Sequence, residues 1–164
     1  MTKTPLAALA LPLTLAVALA AGPAWTQNLH VNPANSFISR AVKVPAGSEM
    51  LYVSGITPRP ANPQAPRDQQ TFGDTKTQVT SILGQIGEIL TSQGYGWEDV
   101  VMMRVLLVKD PAKGDRMDFA GMMEAYNAVY APLKNKPARI TSEVAGLVAP
   151  GMMAEIEVQA AKKP

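Results

Sequence analysis

Six aliphatic residues, Val79, Ile82, Leu83, Ile86, Ile89 and Leu90, fall at i, i+3, i+4, i+7, i+10 and i+11 in one stretch of the chain. That spacing lays a single apolar stripe along an α-helix and fits no strand, whose side chains repeat every second residue. Asp74 stands where an N-cap belongs and Gly94 where a helix stops. Gly84 and Gly87 inside the helix cost about 1 kcal/mol each relative to alanine, which close packing against a sheet would explain.

The remaining segments take their places around this helix. Phe119, Met122, Met123, Tyr126, Val129 and Tyr130 form a second helical stripe that ends at Pro132. A methionine and aromatic stripe of this kind reads as core rather than as a cofactor-binding face. Between the helices, DVVMMRVLLV (residues 99–108) has strand propensity and is expected to be buried on both faces except where Arg104 emerges. KDPAKGD then turns the chain.

Residues 37–47 and 49–55 read as two strands joined by a turn at Pro45, Ala46 and Gly47. Residues 137–160 read as the last two strands, with a turn near Pro150 and Gly151. Four prolines between Ile56 and Asp68 make that segment a loop. The order ββαβαββ predicts an α+β fold, a sheet of about five or six strands with two helices on one face. Its other face would lie uncovered, which calls for a homo-oligomer.

The N-terminus reads as a secretory signal, residues 1–24. Lys3 is the sole charge before Pro23, an apolar run follows from Leu6 to Ala21, and small residues crowd after it. Cleavage after Ala20 or Ala24 fits, and the run is shorter than the roughly 20 residues of a membrane span and contains Pro12. Export, to a periplasm, and no membrane contact after cleavage are the expectations. Residues 25–35 are expected to be a flexible polar segment and residues 36–162 a single domain.

Composition removes several function classes. With 15 basic against 13 acidic groups, the chain carries no electrostatic footprint for nucleic acid. Zero cysteines exclude disulfides, thiolate metal sites and cysteine nucleophiles. The lone histidine, His30, lies outside any periodic segment, so His-based triads and multi-histidine metal sites are not expected. Chemistry here must use arginine, carboxylates, hydroxyls, backbone and water, with no metal or cofactor.

LYVSG (residues 51–55), GYGWEDVVMMRVLLVKD after the first helix, FAGMMEAYNAVY in the second, PAR (residues 137–139) and AEIEVQA near the end occur in an order that resembles the Rid or YjgF family of reactive-intermediate imine deaminases. The resemblance runs from Ser36 to Ala161. It implies a homotrimer of chorismate-mutase-like subunits with a mixed sheet, and sites in the clefts between neighbours. It also implies hydrolysis of 2-imino acids and their enamine tautomers to 2-keto acids and ammonia. By the same resemblance Arg139 grips the substrate carboxylate, Glu155 holds the hydrolytic water, and Ser54 and Gly55 line the pocket. Three positions depart from the family pattern: Ile38 stands for a tyrosine, Met123 for an asparagine and Thr141 for a cysteine, all making the pocket less polar.

The residue types suit that chemistry. An imine is already electrophilic, so water adds without a metal. Arginine meets a carboxylate with paired charge-assisted hydrogen bonds, and glutamate can order the water and take its proton. Alternation alone, however, reads Glu155, Glu157 and Gln159 as a solvated strand face. By spacing alone Arg139 could be an edge-strand solubiliser or an ion-pair partner. A non-catalytic trimer that binds small carboxylates or acts as a chaperone is the alternative function, and ribonuclease activity a more distant third.

Overall fold

The computed structural model describes residues 27–163. The secretory segment expected at residues 1–24 lies outside them. In chain order the elements are β1 (Leu29–Val31), β2 (Ala41–Lys43), β3 (Glu49–Ile56), α1 (Thr75–Ser92), β4 (Val100–Leu107), β5 (Lys109–Asp110), β6 (Arg116–Met117), α2 (Phe119–Tyr130), β7 (Ala138–Glu143) and β8 (Ala154–Lys162). The main sheet has four strands in the order β3-β8-β4-β7. β8 runs antiparallel to both neighbours, whereas β7 runs parallel to β4, so the sheet is mixed. Ser39 extends it by a single parallel bridge to Ala138. The other short strands form two separate ribbons, β1-β2 and β5-β6.

Helix α1 forms as its stripe requires. The Asp74 carboxylate accepts from the Thr77 amide at 2.8 Å, which satisfies one of the free N–H groups of the first turn. At the far end Gly94 takes φ +74°, and the Tyr95 amide closes back on the Leu90 carbonyl at 2.8 Å. That left-handed stop is open to glycine at no steric cost. α2 begins the same way, with Asp118 accepting from the Gly121 amide at 3.0 Å.

Both helices cover one sheet face. Val79, Ile82, Ile86 and Leu90 of α1 meet Met122, Tyr126 and Tyr130 of α2 over Met103, Val105 and Leu107 of β4 and Ile156 and Val158 of β8. The Tyr126 and Tyr130 rings stack with centroids 4.6 Å apart. Gly84 and Gly87 do not face the sheet. A side chain at Gly84 would meet open space, while one at Gly87 would touch the Trp97 ring at 3.4 Å.

Opposite the helices no second layer covers the sheet among the described residues. Met102 and Leu106 are half-buried and Arg104 is exposed, so β4 alternates instead of being buried on both faces. Glu157 of β8 pairs with Arg104 at 3.1 Å on this open face, and Tyr52 and Ile140 stand 68% and 47% exposed.

One expectation is corrected near the N-terminus. Within residues 25–35, Leu29–Val31 form a strand rather than a loose segment. His30 is held as well: its Nδ1 lies 2.8 Å from the Lys136 carbonyl oxygen. Three residues are too few to show a period, so pairing with β2 decided the conformation.

Candidate active site

Arg139 sits on β7, at one edge of the sheet, in register with Met103. Paired residues share a face, so its side chain projects toward the helices. Nη2 lies 3.2 Å from Met123 Sδ and Nη1 4.0 Å from Met122 Sδ. The guanidinium carbon is 4.3 Å from the centre of the Tyr126 ring and 6.0 Å from that of Phe119. These neighbours supply π-faces and weak sulfur acceptors. Among the described residues no carboxylate pairs with this guanidinium. Burial pushes its pKa down, opposed by the Tyr126 and Tyr130 hydroxyls, yet a guanidinium stays charged.

The segment before β2 is pinned beside Arg139. The Tyr126 hydroxyl, its pKa pushed up to about 12 by burial, donates to the Phe37 carbonyl at 2.8 Å. The Ser39 amide donates to the Pro137 carbonyl at 2.9 Å. These bonds shape an open cavity of about 420 Å³ whose walls include Phe37, Ile38, Phe119, Met123, Asn127 and Arg139. Thr141 follows two residues along the same face, in register with Val105. Its hydroxyl oxygen is buried and has no hydrogen-bond partner in the described structure.

Glu155 is elsewhere. It pairs with Leu106, and both lie on the open face. Its carboxylate rests directly over Gly55: a Cβ at Gly55 would collide with Oε1 and come within 2.9 Å of Cδ. The absence of a side chain here allows that close approach, and any larger residue would have to displace the carboxylate. Ser54 and Gly55 occupy an irregularity in the β3–β8 pairing between Val53 and Ile56. Beside them Tyr52, Ser54, Glu157 and Gln159 line a shallow hollow of about 210 Å³.

The seven residues expected at the site therefore separate into two groups. Arg139, Thr141, Ile38 and Met123 gather on the helix side at the β7 edge. Ser54, Gly55 and Glu155 gather on the open face toward the β3 edge. Arg139 and Glu155 are two strands apart, on the order of 10 Å, and on opposite sides of the sheet. Phe37, Phe119 and Tyr126 complete the surroundings of Arg139 and were not singled out by the sequence. Phe119 and Tyr126 belong to a stripe that reads as core throughout. The stripe divides: Met122, Tyr126 and Tyr130 are buried, while Phe119 (44% exposed) and Met123 face the cavity.

Comparison with known proteins agrees with this architecture. Residues 28–162 match the family model described as Endoribonuclease L-PSP. A RutC family protein of Pyrococcus horikoshii is 34% identical over 129 residues, covering 76% of this chain and 86% of that protein. A Rid family protein of Yersinia pestis superposes with a TM-score of 0.63 at 25% identity, covering 81% of this chain and 97% of that one. Escherichia coli TdcF, solved with bound serine, superposes with a TM-score of 0.54 at 27% identity, covering 73% and 85%. With most of its length matched in sequence and its sheet and helices matched in space, the chain belongs to the Endoribonuclease L-PSP family, to which the Rid and YjgF proteins also belong.

Proposed function

We propose that this protein hydrolyses 2-imino acids and their enamine tautomers to 2-keto acids and ammonia, as a homotrimer whose sites lie between neighbouring copies. One observation carries the reading: Arg139 is a half-buried cation facing a cavity, with thioethers and rings for neighbours and no carboxylate partner. With no carboxylate partner among the described residues, the guanidinium keeps charged donors free to meet an anion. The serine bound to TdcF bears an α-carboxylate, the group assigned here to Arg139.

In the proposed reaction the substrate carboxylate takes two charge-assisted hydrogen bonds from the guanidinium, each contributing roughly 1.5–3 kcal/mol. Glu155 of the adjoining copy orders a water and accepts its proton as the oxygen bonds to the imine carbon. The C=N π pair moves to nitrogen, which takes the proton from Glu155 and gives a carbinolamine. Glu155 then accepts the carbinolamine hydroxyl proton and passes it to nitrogen as the C–N bond breaks, which releases ammonia and leaves the keto group. General-base assistance of this type contributes about 10²–10⁴ in rate.

The family description names ribonuclease activity. Here one guanidinium stands among apolar walls, whereas a phosphate backbone calls for several clustered cations, so that activity is not carried over. Imines made in the assay by an amino acid oxidase, with ammonia or keto acid release followed, test the proposal. Wild-type protein should accelerate release at least about 100-fold over Arg139→Ala. Equal rates for the two would refute it. Keto acid binding in calorimetry, with no imine hydrolysed, would establish instead a carboxylate-binding trimer without turnover.

A further inference from the structure

The walls around Arg139 carry information about the rest of the ligand. Phe37, Ile38, Phe119, Ala120 and Met123 line the cavity together with Arg139, and Ser36 and Asn127 are the polar residues beside them. The Ser36 hydroxyl is already engaged, donating to the Ile38 carbonyl at 2.6 Å. Among the described residues of the chain, no lysine, second arginine, aspartate or glutamate lines the cavity. Its volume of about 420 Å³ far exceeds what a methyl group needs beside a carboxylate, and falls within the roughly 300–1,000 Å³ of small-molecule sites.

We infer that the site selects 2-imino and 2-keto monocarboxylates with bulky apolar side chains, of the leucine, methionine or phenylalanine type, and that Ile38 and Met123 are the residues that set this preference. This rests on the hydrolase reading of the same site. A small or polar side chain would leave the Phe37 and Phe119 rings, 57% and 44% exposed, in water. A second carboxylate would enter apolar surroundings with no second cation to meet it, a strongly unfavourable transfer. Each methylene buried against these walls raises affinity roughly fourfold. A leucine-type side chain exceeds a methyl by three carbons, and partial exposure of the cavity reduces the full gain to a preference of about tenfold or more.

Rates would be measured on imines generated from leucine, phenylalanine, alanine and glutamate by amino acid oxidases. Dissociation constants would be measured by calorimetry for 4-methyl-2-oxopentanoate, phenylpyruvate, pyruvate and 2-oxoglutarate. The expected result is at least about tenfold higher kcat/KM and tighter binding for the apolar members over pyruvate-type ligands, with 2-oxoglutarate weakest. Met123→Asn, and independently Ile38→Tyr, should reduce the ratio of leucine-derived to alanine-derived kcat/KM several-fold, chiefly through KM. Equal rates on all imines, lost in Arg139→Ala, would overturn the selectivity while leaving the hydrolase reading standing. Absence of hydrolysis with the binding order intact would do the reverse. Unchanged ratios in both folded variants would remove Ile38 and Met123 as determinants.

Discussion

Gly55 and Glu155 show how a single atom decides the chemistry of a position. The strand alternation of β8 gives Glu155 the look of a solvated residue, and β3 gives Gly55 the look of a turn. In space the glycine exists so that the carboxylate can lie flat against the backbone. Adding one methyl at Gly55 pushes the carboxylate off that seat. Gly55→Ala should therefore lower kcat for imine hydrolysis by about 10²-fold, the size of a lost general base, with Arg139-dependent keto acid binding kept within about threefold. Parallel kinetics and calorimetry check this, and full activity would mean that Glu155 holds no catalytic water. Arg139 makes the complementary point, since its residue type was legible but its isolation from carboxylates required the fold.

Among the elements, the start of β8 has to be held so that Glu155 is presented on the open face. Gln78, a polar residue fully buried on α1, does this. Its amide nitrogen donates to the Gly73 and Gly151 carbonyls at 3.0 and 2.9 Å, and its oxygen accepts from the Met153 amide at 2.7 Å. The helix thus clamps the turn that leads into the strand. Gln78→Leu keeps the volume but strands those backbone groups, and unfolding by denaturant should show a loss of about 3 kcal/mol. A variant of unchanged midpoint would show that the clamp contributes nothing. The helical stripe of Val79 to Leu90 gave no hint of this role, because periodicity weighs apolar residues and is silent on a buried amide.

At the scale of the whole molecule, the two groups of site residues face away from each other across one sheet. Under the proposed reaction a neighbouring copy brings its Glu155 to Arg139, and the open face, with Tyr52, Ile140, Met102 and Leu106 around the Arg104–Glu157 pair, is exposed surface that such a neighbour would cover. If each site takes its arginine from one copy and its glutamate from the next, two inactive variants can rescue one another. Arg139→Ala and Glu155→Gln, unfolded together and refolded as a mixture, should recover about a quarter of wild-type activity, the fraction of sites that inherit both intact residues in a randomly mixed ring. Mixtures as inactive as their parents, at an oligomeric size confirmed by sedimentation, would place both residues of each site in one copy or in none.

Period and punctuation alone determined the two helices, their caps at Asp74 and Gly94, the strands around them and the polar character of β8, because these depend on residues close in sequence. The roles of Arg139 and Glu155 in handling an anion and a water came from the resemblance to the Rid or YjgF family, since alternation and spacing by themselves read both as solvated or ion-paired residues. β1 and the β5-β6 ribbon escaped, being too brief to carry a period, while β2 fell inside the strand expected at residues 37–47 but pairs with β1 in a separate ribbon. Sidedness was decided by tertiary structure. Register between β7 and β4 sends Arg139 toward the helices, register between β8 and β4 sends Glu155 away from them, and an α2 stripe that reads uniformly as core divides into core and cavity wall. Those outcomes depend on which strand lies beside which, and no local pattern encodes a neighbour that is brought in only by folding.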